Sequence, residues 1–160
     1  MKNTSKKFTL EKTEIPSALS DSIAIKDFLS TNKGKRVVVV QGLGFVGAVM
    51  ALVCANGVSE EYAVIGVDLA DEKNFHKIKS INEGVFPLTA NDLKIDEFYN
   101  KAMSRGNLLA TYDPIAYGFA DVIIVDVNLD VAKSSSKKGA MTNFDVDLSC
   151  FKYEINTIAS

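Results

Sequence analysis

The chain has 160 residues, 47% apolar and 24% charged, with a net charge of -2; this suits one globular domain with a real core and gives no electrostatic basis for binding nucleic acid or an anionic membrane. No apolar run approaches the roughly 20 residues of a membrane span, and the amino terminus lacks the apolar segment of a secretory signal. Cys54 and Cys150 are too few for a disulfide framework, which points to the cytoplasm, and with one histidine they cannot make a zinc site of ordinary ligand count.

Residues 1–34 read as an N-terminal extension ahead of the domain proper. Phe8 and Leu10 alternate with polar neighbours, as in a short strand or extended arm, and Pro16 interrupts it. Residues 21–30 suit a short amphipathic helix with Ile25, Phe28 and Leu29 on one side. A linker follows at Asn32–Lys35. Val37 to Val40 form an uninterrupted β-branched run, the pattern of a strand buried on both faces. It leads directly into Gly42-Leu-Gly-Phe-Val-Gly47 and an apolar helix from Phe45 to about Asn56, with Gly57 as its cap. In this arrangement Gly42 permits a tight turn, Gly44 lets the backbone approach a diphosphate, and Gly47 lets helix and strand pack closely. The helix N-terminus supplies free N–H groups and a favourable dipole, so the stretch reads as a dinucleotide diphosphate site. Cys54, within the helix, reads as core.

Tyr62 to Asp68 is the second strand, ending in an acid 21 positions after Gly47. A carboxylate at that spacing can accept hydrogen bonds from the adenosine ribose, and it repels a 2′-phosphate, which favours NAD over NADP. Residues 71–82 read as a helix carrying Lys73 and Lys77, either of which can reach the ribose or a phosphate; His76 reads as a surface residue. A loop at 84–91 precedes a helix over about 93–104, capped by Asn91 or Asp92, with Leu93, Phe98 and Met103 on its buried side. Leu108–Thr111 is a third strand. Asp113 caps a short helix with Pro114 at its first position. Val122–Val125 is a fourth, fully buried strand, ending in Asp126-Val127-Asn128-Leu129. Residues 131–144 read as a polar, flexible loop, and residues 145–160 as a closing helix with Leu148, Phe151, Ile155 and Ile158 at helical spacing.

This alternation predicts an α/β fold: a Rossmann-type parallel sheet of order 3-2-1-4, helices on both faces, with its second half incomplete. Ligands of such sheets bind at the carboxyl ends of the strands, near the switch between strands one and four. The glycine turn, Asp68, Thr111, Val127 and Asn128 all fall at those ends.

The residues now on the page resemble the N-terminal NAD-binding domain of the UDP-glucose/GDP-mannose dehydrogenase family. The resemblance rests on Gly42-Leu-Gly-Phe-Val-Gly47, Val67-Asp68, Lys77-Ile-Lys-Ser-Ile-Asn-Glu-Gly84, Thr111-Tyr-Asp113, Ala120-Asp-Val-Ile-Ile-Val125 and Asp147-Leu148, and covers about residues 35–160. It implies that Gly44, Phe45, Val46 and Gly47 contact the cofactor diphosphate, that Asp68 holds the adenosine ribose with help from a lysine, and that Thr111 lies toward the nicotinamide. The Ile-Asn-x-Gly register favours Lys77 as that lysine; counting from Asp68 favours Lys73. It also implies an enzyme that oxidises the C6 hydroxyl of a nucleotide sugar through a catalytic cysteine.

The chain departs from the family at Ala90-Asn91, where Glu-Pro is usual, and at Leu129-Asp130, where Thr-Pro is usual. It ends after the helix that follows strand four, and neither Cys54 nor Cys150 matches the family's catalytic cysteine. The expectation is therefore an NAD-binding segment that does not by itself turn over substrate, with the nucleotide sugar a partner only of a complete enzyme. The alternatives are a non-catalytic nucleotide-binding or interaction module, or another NAD dehydrogenase family with a similar opening half. With no further strand beside it, Val122–Val125 is an apolar edge, expected to be covered by the N-terminal arm or by a second copy of the chain in a homodimer.

Overall fold

Arg36–Gln41 form the first strand, β1, of a computed structural model that describes residues 15–87, 92–129, 131–135 and 141–159. β1 lies between β2 (Tyr62–Val67) and β4 (Val122–Val125), and β2 pairs in turn with β3 (Leu108–Thr111). The pairings are parallel and give the order β3-β2-β1-β4 expected for right-handed crossovers. The valine run is buried on both sides because its side chains alternate. Val38 and Val40 join Val64, Leu108 and Ala110 on one face, while Val37 and Val39 join Ala63, Ile65 and Val67 on the other.

Three helices cover the first face: α2 (Phe45–Ala55), α3 (Phe75–Asn82) and α4 (Leu93–Arg105). Ala51 and Leu52 of α2, Ile78 and Ile81 of α3, and Tyr99 and Ala102 of α4 belong to its core. On the second face Ile25 of α1 (Ala18–Thr31) and Ala116 and Tyr117 of a 3-10 helix (Pro114–Phe119) are buried, and Ile158 of α5 (Ser149–Ala159) packs against them. The core therefore lies on both faces, as in doubly wound sheets.

Several local expectations are corrected. The helix before β1 is longer than residues 21–30, starting at Ala18 with Ser17 as its cap. α2 ends on Asn56 rather than Gly57, because the Asn56 amide donates to the carbonyls of Leu52 and Phe98, both at 2.9 Å. α3 begins at Phe75, not at residue 71, because the Asp71 carboxylate accepts from the N–H groups of Lys73 and Asn74 and folds that stretch into a turn. Asp92 caps α4, but Leu93 is exposed and the buried side is centred on Tyr99 and Ala102. Asp113 does cap the 3-10 helix, accepting from the Ile115 N–H at 3.0 Å.

The largest differences follow β4. That strand is only half-buried, with Val122 exposed, because it pairs on one side alone among the described residues. α1 packs on the second face with an approach to β3, so residues 15–34 do not cover the β4 edge. The stretch read as a flexible loop contains an antiparallel hairpin, β5 (Val131–Ser135) with β6 (Met141–Val146). α5 accordingly starts later than predicted, at Ser149, with the Asp147 carboxylate accepting from the Ser149 N–H at 2.8 Å. The possible strand at Phe8 and Leu10, and the departure at Ala90-Asn91, lie outside the described residues. No helix among the described residues is long and apolar enough to cross a membrane.

Candidate functional site

A cavity of about 560 Å³ opens at the carboxyl ends of β1, β2 and β4. Its floor is the turn from Gln41 to Gly44, which passes from β1 into α2. Gly42 has φ +90°, a conformation that disfavours any side chain, and a Cβ there would also overlap the Asp126 carbonyl. At Gly47 a Cβ would overlap the Gly42 carbonyl, so the first turn of α2 seats against β1 only with glycine at that position. Gly44 differs: a Cβ would meet nothing within 4 Å and would stand in open space. Gly44 is also the N-cap of α2 and supplies no capping side chain, leaving the first-turn N–H groups open to an anion. Leu43 anchors the turn, fully buried in the space left by Gly66 of β2, where a Cβ would come within 2.6 Å of Leu43 Cδ2.

The second wall is built on Asp68, just past β2. Its Oδ2 accepts from the Leu43 N–H at 3.1 Å and from Lys77 Nζ at 2.9 Å, and its Oδ1 accepts from the Leu69 N–H at 2.8 Å. Lys77 is oriented by a second bond, to Asn74 Oδ1 at 2.7 Å. The side chains of Lys77 and Asp68 are only 15% and 10% exposed, so this pair is screened less than a surface ion pair. The third wall is Asp126, Val127 and Asn128 beyond β4, and the fourth is Cys150 and Glu154 of α5.

The structure thus brings Gly42, Gly44, Phe45, Val46, Asp68, Lys77, Val127 and Asn128 to one cavity. Gly47 lies beneath it, buried. Lys73 does not line it: its backbone N–H bonds Asp71, and the side chain is exposed. Thr111, expected toward the nicotinamide, is not at the cavity either. It is fully buried, and its hydroxyl donates to the carboxylate of Asp21, which α1 inserts over the end of β3. The Ile-Asn-x-Gly stretch acts at a distance. Asn82 pairs with the backbone of Ala110 on β3, and Gly84 takes φ +83° to end α3.

Sequence reasoning missed Glu154. The spacing of Leu148, Phe151, Ile155 and Ile158 predicts an apolar seat for α5; Ile158 packs on the second-face core, yet the other three are 41%, 38% and 40% exposed while Glu154 is 9% exposed. Glu154 Oε2 accepts from Gln41 Nε2 at 2.6 Å, and the Tyr117 hydroxyl donates to Gln41 Oε1. Burial, and then the charge of Asp68, push the Glu154 carboxyl above its usual range. Burial foremost, and then Glu154, push the Tyr117 phenol up as well. The one sequence signal for this cluster was Gln41, a polar residue closing a buried strand of valines, which needs a polar partner.

The comparisons with known proteins agree with the fold and show the family. Residues 35–160 match the UDP-glucose/GDP-mannose dehydrogenase family, NAD binding domain. In structure the chain is similar to NDP-N-acetyl-D-galactosaminuronic acid dehydrogenase from Methanosarcina mazei Go1, with a TM-score of 0.65 and 20% identity over 84% of this chain and 26% of that one. It is also similar to UDP-D-ManNAc dehydrogenase from Pyrococcus horikoshii, with a TM-score of 0.55 and 29% identity over 77% of this chain and 25% of that one. The chain therefore spans about a quarter of the length of each. No curated protein matches it in sequence. With a parallel sheet of order β3-β2-β1-β4, a glycine turn opening a helix, and a match over residues 35–160, the chain belongs to the UDP-glucose/GDP-mannose dehydrogenase family, within its NAD binding domain.

Proposed function

We propose that residues 35–160 bind NAD in the cavity above the glycine turn, as the cofactor domain of a nucleotide-sugar 6-dehydrogenase. The observation that carries this reading is the convergence of Gly44, Asp68 and Lys77 on one cavity, with a free helix N-terminus at its floor. Gly44, Phe45 and Val46 would hold the diphosphate through backbone N–H groups, since open space at Gly44 lets a ligand approach the main chain. Asp68 would accept from the adenosine ribose hydroxyls. Lys77 fixes the carboxylate that does so and supplies a cation beside it. A 2′-phosphate would meet the Asp68 carboxylate, so NAD is preferred over NADP. Bound NAD supplies a hydride acceptor; this chain's own residues bind and orient it.

Oxidation of a UDP- or GDP-sugar belongs in this reading to a complete family member, in the cytoplasm, and not to these 160 residues alone. Calorimetric titration of the purified chain tests the assignment. NADH should bind and NADPH should bind at least about tenfold more weakly, since the 2′-phosphate meets a buried carboxylate. Lys77→Ala should weaken NADH binding, while Lys73→Ala should leave it unchanged. No NAD reduction is expected with UDP-glucose. Absence of NADH binding by the folded chain would leave the alternative, an interaction module without a cofactor; turnover of UDP-glucose would overturn the assignment of chemistry to the complete enzyme. We further propose that a second copy pairs along the β4 edge, and sedimentation of a strict monomer would refute this.

A further inference from the structure

The cavity is acidic for one that takes an anion. Among the described residues lining it, Asp68, Asp126 and Glu154 are carboxylates, and Lys77 is the one ammonium. That ammonium is already committed to Asp68. A dinucleotide diphosphate adds more negative charge to a partly enclosed space, where charges are screened less than in water. No group of three or more acidic, histidine or cysteine side chains among the described residues could hold a metal ion that would offset it. The free N–H groups at the start of α2 offset part of this repulsion, and neutralising one carboxylate would relieve more of it.

The three acids are not equivalent. Asp68 has Lys77 and the N–H groups of Leu43 and Leu69 to stabilise its charge. Asp126 Oδ2 lies 3.0 Å from where a Cβ on Gly47 would be, beside the first turn of α2, whose dipole favours an anion. Among the described residues, no cation pairs with Glu154. It enters from α5, buried at 9% exposure, and is held by the neutral amide of Gln41, itself bonded by the Tyr117 hydroxyl. The groups facing it are Asp68 and Asp126, with Lys77 across the cavity, Cys150 one turn earlier on α5, and Tyr117 behind Gln41. Asp68 already raises the proton affinity of Glu154, and a diphosphate in the same cavity acts in the same direction.

We propose that dinucleotide binding in this cavity is coupled to uptake of one proton from solvent by Glu154. The inference rests on the cofactor reading above. The proton adds to a carboxylate oxygen and nothing is released. The neutral acid still accepts from Gln41 Nε2, so α5 keeps its seat while the charge is removed. By linkage, a group whose proton affinity rises on binding makes binding strongest at low pH. Affinity for the cofactor then falls as pH rises from the Glu154 pKa of the free chain to that of the complex, by up to about tenfold per pH unit.

The test is calorimetry of NADH binding between about pH 6 and about pH 8 in paired buffers of different ionisation enthalpy, which reads protons taken up per site. The wild-type chain should take up a measurable fraction of a proton, and its affinity should fall with pH. Glu154→Gln, which keeps the hydrogen bond to Gln41, should bind with no uptake, a flat pH profile, and a gain in affinity at the upper pH. Asp126→Asn should retain the uptake. Binding by the wild type without proton uptake overturns the proposal, as does uptake undiminished in folded Glu154→Gln. Should Glu154→Gln fail to fold, the wild type and Asp126→Asn decide: uptake lost in Asp126→Asn assigns the proton to Asp126 and overturns it. NADH binding by none of the variants, with native circular dichroism, removes the cofactor reading itself and this proposal with it.

Discussion

Asp68 Oδ2 accepts a hydrogen bond from the Leu43 N–H at 3.1 Å, so the acid that ends β2 is part of the turn that ends β1. The two halves of the candidate site, one from each strand, are thus one hydrogen-bonded unit before any ligand arrives. Asp68→Ala should cost about 2–4 kcal/mol of stability in urea denaturation, because it strands the Lys77 ammonium and two backbone N–H groups. Asp68→Asn should cost less and should narrow the preference for NADH over NADPH in the same titrations.

The glycines of the turn separate folding from binding. Gly47→Ala places a Cβ onto the Gly42 carbonyl, a backbone atom that cannot yield, and should destabilise the chain by about 3 kcal/mol. Gly44→Ala meets nothing within 4 Å and has φ -63°, so its cost should stay at about 1 kcal/mol or less, the value of a poorer N-cap. Its effect should appear instead in NADH affinity, because the new methyl stands between ligand and main chain. Thermal melts with and without NADH distinguish the two behaviours.

Asn82 replaces a missing strand. Its Nδ2 donates to the Ala110 carbonyl and its Oδ1 accepts from the Ala110 N–H, both at 2.8 Å, which is the pairing a fifth strand beside β3 would provide. Ala110 is buried, so Asn82→Ala leaves two main-chain groups unsatisfied and should cost about 2–3 kcal/mol in urea denaturation. Asn82→Asp keeps the acceptor, loses the donor, and should fall between.

Glu154 gives stability a defined pH dependence even without cofactor. Its folded pKa lies above the ordinary 4.5, from burial first and the charge of Asp68 second. The native state therefore binds this proton more tightly than the unfolded state. The contribution is fully present below the unfolded value and is lost as pH rises through the folded one. Glu154→Gln should accordingly be more stable than wild type at neutral pH, with the difference shrinking toward about pH 4, as read by denaturation at a series of pH values.

The strands and the turn were legible because each carries its reason locally. Val37–Val40, Leu108–Thr111 and Val122–Val125 read as buried strands from their β-branched and aliphatic runs, and Gly42, Gly44 and Gly47 mark a strand-to-helix turn whatever surrounds them. Asp68 was legible from its spacing to that turn. The hairpin β5–β6 was not, because Val131–Ser135 is polar enough to read as loop and pairs only through its partner strand. The burial of β4 was overestimated because an apolar run does not say whether a neighbour stands on each side.

By itself, then, the sequence determined the parallel sheet, its order and the position of the glycine turn, since these follow from side-chain periodicity and backbone freedom along short stretches. Tertiary structure alone decided the rest. It turned α5 so that Glu154 enters the cavity to meet Gln41 while Leu148, Phe151 and Ile155 stay exposed and Ile158 packs on the core. It set Lys77 rather than Lys73 on Asp68, and it closed the end of β3 by placing Asp21 on Thr111. The contacts of Glu154 with Gln41 and of Asp21 with Thr111 join residues far apart in the chain, fixed by which partner satisfies a buried polar group, and no local pattern encodes that choice.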